Sequence, residues 1–170
     1  MQSKTGIQSN IICFVNMSDL VKSLKFIEKW VYRYMPNHPA VMNQGLSYEI
    51  IELKVKDLPF RLPTEIYELY QWRNGGTKPF IPYPEGWDLA SFLSLEEAID
   101  ATLDWSNQLN LFPLFTIEDA GYFIVCTQEE RDQSPIYYGD VPEDAVKSKS
   151  SYPSLTNMMQ ELERELKNRI

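Results

Sequence analysis

Apolar positions along the chain recur with two periods. Leu20, Leu24, Ile27, Val31 and Tyr34 are spaced by three and four, which predicts a helix with one apolar face. Ser18 is placed to cap it before Asp19, and Pro36 and Pro39 end it. A shorter helix is predicted over Tyr48 to Asp57, with Ile50, Ile51 and Leu53 inward. Pro63 opens a third helix, where a missing N–H costs nothing, and Ile66, Leu69 and Tyr70 form its inner face. Asn74-Gly75-Gly76 reads as its stop, since glycine accepts the left-handed conformation of a helix C-cap.

Beyond Pro79, Pro82 and Pro84 the pattern turns to strands. Leu89 to Leu93 is a short apolar run, and Ser94-Leu95-Glu96-Glu97 is a capping box opening a helix that buries Leu95, Ile99, Leu103 and Trp105. Phe112 to Ile117 and Tyr122 to Thr127 read as strands joined by the short Glu118-Asp119-Ala120-Gly121 link. Ile136 to Tyr138 is another strand, with a weaker one near Ala145 to Lys149. A last helix starts at Pro153 and buries Leu155, Met158, Met159, Leu162 and Leu166. Helices at both ends around antiparallel strands predict an α+β fold. Residues 1–18 read as an irregular segment, and 19–170 as one compact domain in which helices from both ends flank the sheet.

Composition narrows the function classes. The 170 residues are 44% hydrophobic and 13% aromatic, enough to build a core and unlike a disordered chain. The formal charge is −8, the wrong sign for a sequence-independent nucleic-acid binder. No stretch approaches the roughly 20 apolar residues of a membrane span, and Ile11 to Val15 is too short for a secretion signal core. Two cysteines, Cys13 and Cys126, make neither a disulfide framework nor a zinc site, and a reducing cytoplasm is expected. Cys126 sits in an apolar run and is expected to be a buried, inert thiol.

Candidate chemistry is sparse. The single histidine, His38, lies between two prolines in an expected loop. No metal-ligand spacing, P-loop or dinucleotide fingerprint is present, so neither a cofactor nor a metal is expected. Acidic pairs occur at Glu96-Glu97, Glu118-Asp119 and Glu129-Glu130, but neighbouring side chains point apart on helices and strands.

Charge is distributed unevenly. Residues 1–84 hold ten basic and seven acidic residues, and residues 145–170 hold five and three. Residues 85–144 hold fourteen acidic residues and one basic residue, Arg131. Such a field is costly to the fold and suits a basic partner, whose encounter it would steer. Candidate contacts are Asp104, Glu118, Asp119, Glu129, Glu130 and Asp132, with Trp87 as an aromatic anchor.

The order of motifs resembles the SUKH superfamily, which includes the fungal Smi/Knr cell-wall-assembly regulators. The similarity runs from Leu62-Pro63 through its helix to Asn74, Gly75 and Gly76, then to Phe92–Ala98, Leu111–Phe115, Gly121–Val125, Pro135–Tyr137 and the helix from Tyr152 to Leu166. It covers about residues 46–166. Ala120-Gly121 stands where that family commonly has a glycine pair, and residues 1–45 have no counterpart. The resemblance implies a domain without catalytic residues. It further implies an immunity protein that binds and neutralises a polymorphic toxin, many of which are nucleases. A regulatory scaffold like the fungal branch and an enzyme using a carboxylate pair stay open as alternatives.

Overall fold

Local signals in the chain account for most of its helix boundaries. The computed structural model describes residues 17–36, 42–76, 81–82, 89–104, 110–117, 120–139 and 150–170, with only the backbone of Ile81, Pro82, Leu89 and Asp104. Helix α1 spans Asp19–Tyr34, and the Ser18 hydroxyl accepts from the Val21 N–H as expected. Leu20, Leu24, Ile27 and Val31 are buried, joined by Trp30. Tyr34 is not: its ring lies exposed against Trp30, with the Arg33 guanidinium over it.

Strand β1 (Met42–Gln44) was not signalled by periodicity, being only three residues long. Helix α2 covers Tyr48–Val55, and helix α3 covers Thr64–Trp72 with Pro63 as the cap position just outside it. In α2 only Ile51 is buried; Ile50 is 44% and Leu53 66% exposed, correcting their expected inward placement. Successive helical positions turn by about 100°, so a two-turn helix resting on α3 along one line buries one residue of the three.

Asn74-Gly75-Gly76 does not stop α3. It belongs to strand β2 (Arg73–Gly76), which pairs antiparallel with β1, Met42 opposite Gly76 and Gln44 opposite Arg73. Gly75 does take the left-handed conformation, at φ +69°, but inside this strand. A Cβ there would lie 2.5 Å from the Ser94 nitrogen, so glycine is what lets β2 meet the start of the next helix. Gly45 permits a similar approach, since a Cβ would fall 1.9 Å from the Gln71 carbonyl oxygen.

Strands β3 (Ile81–Pro82), β4 (Leu89–Phe92), β5 (Leu111–Ile117), β6 (Ala120–Val125) and β7 (Ile136–Gly139) follow one another in space in that order, every pair antiparallel. Ala120 and Gly121 are strand residues opposite Ile117 and Thr116, so the β5–β6 link is shorter than expected. Helix α4 (Leu95–Asp104) stands between β4 and β5. Its capping box forms as read: the Ser94 N–H donates to Glu97 at 2.7 Å, and the Glu97 N–H donates to the Ser94 hydroxyl at 3.2 Å. The buried line of α4 is Leu95, Ala98 and Thr102, not Leu103, which is exposed. Seven residues make nearly two whole turns, whereas eight overshoot by about 80°. Trp105, Pro39, His38, Cys13 and the strand near Ala145 to Lys149 lie outside the described residues.

Helix α5 (Leu155–Asn168) buries the five residues expected of it and packs against α1. Two helices from opposite ends of the chain therefore close over one core. At its centre Phe92 stands within 5.5 Å, ring centre to ring centre, of both Tyr70 and Phe115. The result is an α+β domain with an antiparallel sheet flanked by helices. Among the described residues, no helix is long and apolar enough to cross a membrane.

Candidate protein-binding groove

The expected partner contacts separate into two sets. Trp87, Glu118 and Asp119 lie outside the described residues, and Asp104 ends α4 with its side chain undescribed. Glu129, Glu130 and Asp132 are exposed together on the connection between β6 and β7. That connection is held against α3: the Thr64 and Glu65 N–H groups donate to the Arg131 and Asp132 carbonyls at 2.9 and 3.1 Å. These two donors would otherwise be unpaired at the helix start. The Thr64 hydroxyl adds a bond to the Asp132 carboxylate at 3.1 Å, and Arg61 pairs with Glu130.

Between this loop, α2, the α2–α3 connection and α3 runs a groove of about 870 Å³. Val55, Leu58, Phe60 and Leu62 give it apolar lining. Tyr48 of α2 and Tyr67 of α3 stack along one wall, ring centres 5.1 Å apart. The Tyr67 hydroxyl donates to Glu52. Burial, then that bond and the Glu52 charge, push the Tyr67 phenol well above its usual range, so it stays a neutral donor. Glu68, four residues before Trp72, accepts from the Ser18 hydroxyl at 2.8 Å and lines the same groove. Tyr48, Glu52 and Tyr67 were not singled out from the sequence. The available signal was the Tyr48–Glu52 spacing of four, which puts both on one side of a helix.

The motif residues have structural work. Leu62 and Pro63 are buried at the entry to α3. Asn74 accepts from the Leu95 N–H at 2.8 Å and donates to Glu96 at 3.1 Å, so β2 helps cap α4. Of the acidic pairs, Glu97 serves the capping box and Glu96 bonds Lys54 at 2.8 Å. Burial would raise Glu96, but Lys54 and Asn74 outweigh it and hold the carboxyl below its usual value. Cys126 is buried, and desolvation pushes its thiol far up, as expected of an inert cysteine.

A buried acid not anticipated from the sequence is Glu65, only 2% exposed. It accepts from the N–H groups of Ser134, Leu155 and Thr156 at 3.0–3.1 Å and from the Thr156 hydroxyl at 3.1 Å. Desolvation outweighs these bonds and leaves its carboxyl above the usual value. It anchors α3 to the start of α5 and is enclosed by the fold, away from the groove. Among the described residues, no three His, Cys, Asp or Glu side chains converge as a metal-binding group. No family model matches the chain, and no curated protein matches it in sequence.

Proposed function

We propose that this protein is a non-catalytic protein-binding module that binds and neutralises a basic toxin domain, in the manner of an immunity protein acting in the cytoplasm. The observation carrying the reading is the acidic middle of the chain, fourteen acids against one base over residues 85–144. Part of it, Glu129, Glu130 and Asp132, stands exposed beside a groove large enough to receive another chain. A nuclease toxin must be basic where it grips phosphate, and an acidic partner competes for that surface. The resemblance of the motif order to the SUKH superfamily supports the same role. Co-expression with a toxin encoded beside it tests the proposal: growth is restored and the two proteins elute as one complex on gel filtration. Persistent toxicity with no complex overturns it for that pair.

A further inference from the structure

The groove carries more chemical detail than the acidic loop beside it. Its Tyr48 is 51% exposed. The fold's described cation–ring contacts are Arg33 on Tyr34, Arg73 on Trp72 and Lys167 on Phe26, so none falls on Tyr48. Next to it, Glu52 accepts from Tyr67 through Oε1, and Oε2 has no partner among the described residues. An open aromatic face with a half-satisfied carboxylate beside it suits a guanidinium, which stacks on the ring and donates to the oxygen. Across the groove Arg61 is drawn onto Glu130, leaving Lys56 and Arg131 against Glu52, Glu68 and Asp132. Arginine also carries an apolar stem, and Leu58 and Phe60 line the groove to cover it. The volume lies within the roughly 300–1,000 Å³ of ligand clefts, enough for a short extended segment.

We infer that this groove receives an arginine-bearing extended segment of the partner, with one guanidinium on Tyr48 and Glu52. The inference rests on the basic partner proposed above and adds where and through which side chain that partner is held.

The test uses the full chain and a blocked Gly-Arg-Gly-Arg-Gly peptide, against the same peptide with citrulline, which keeps the shape of arginine and lacks its charge. In an NMR titration the arginine peptide shifts the amides of Tyr48, Glu52 and Tyr67, and the citrulline peptide does not. Tyr48→Ala and Glu52→Gln each weaken binding by about threefold to fivefold, as expected for an exposed cation–ring or ion-pair contact. Both positions are exposed, so the variants keep the far-UV circular dichroism of the parent. Equal binding of the two peptides, shifts on another face, or unchanged affinity in both variants overturns the inference. A captured toxin that binds both variants as tightly as the parent removes the groove and leaves the immunity reading standing. Arginine-peptide binding at Tyr48 without neutralisation of a cognate toxin does the reverse.

Discussion

Glu65 shows how much of the fold one side chain can hold. Its oxygens satisfy four donors from two segments that lie far along the chain, two of them N–H groups in the first turn of α5. Glu65→Ala strands those donors in a dry site and should cost about 3 kcal/mol or more, read from the urea midpoint. Because desolvation raises its carboxyl, the folded state binds the proton more tightly than the unfolded chain does. The stabilisation is complete below the ordinary value of 4.5 and declines as pH rises through the folded value. The stability gap between parent and Glu65→Ala should therefore narrow as pH rises from 4.5; a gap that widens means the hydrogen bonds outweigh burial. Gly75 is the second sensitive residue. Gly75→Ala places a methyl against the Ser94 backbone at a positive φ, and should cost about 1–3 kcal/mol in the same measurement.

Elements respond according to the line they bury. In α2, Ile51→Ala should cost about 2–4 kcal/mol, while Leu53→Glu should stay within about 0.5 kcal/mol, since only Ile51 enters the core. Helices α1 and α5 are joined by Ser23, whose hydroxyl donates to Glu163 at 2.6 Å, while Lys167, one turn further along α5, bonds the same carboxylate from within its own helix. Burial alone would raise Glu163, but these two partners overcome it and lower its carboxyl. Its contribution is present above the ordinary carboxylate value and fades as pH falls through the depressed one. A double-mutant cycle with Ser23→Ala and Glu163→Gln should show coupling of about 0.5–1.5 kcal/mol at pH 7 and less in acid. Long amphipathic elements such as α1 and α5 were legible in the sequence because many core positions repeat on one face. In α4 the capping box gave the start, yet a choice between Thr102 and Leu103 turned on one residue of phase. The tight β2 strand mimicked a helix stop, because glycine serves both and only the pairing with Met42 separates them. The groove was illegible for a related reason: Tyr48 and Tyr67 become neighbours only when α2 folds onto α3.

At the scale of the whole molecule, the proposed binding would use charge for approach and packing for retention. With the acids at Glu129 and Glu130 on an exposed loop, Glu129→Lys with Glu130→Lys should slow association with a basic partner by about tenfold at low salt and change dissociation little. Stopped-flow rates over a salt series check this, and a rate indifferent to both charge and salt rules out steering. Reading charge by segment exposed this field, which the overall −8 conceals; its arrangement in space depends on tertiary packing. The pairing of α1 with α5 also has a consequence in time. During synthesis the apolar face of α1 emerges early, at roughly 5–20 residues per second, and must wait for residues 155–168 before it is covered. Until then Leu24, Ile27 and Val31 are open to chaperones and proteases. The nascent chain is thus vulnerable until α5 emerges, and a chain halted ahead of α5 keeps that face of α1 uncovered.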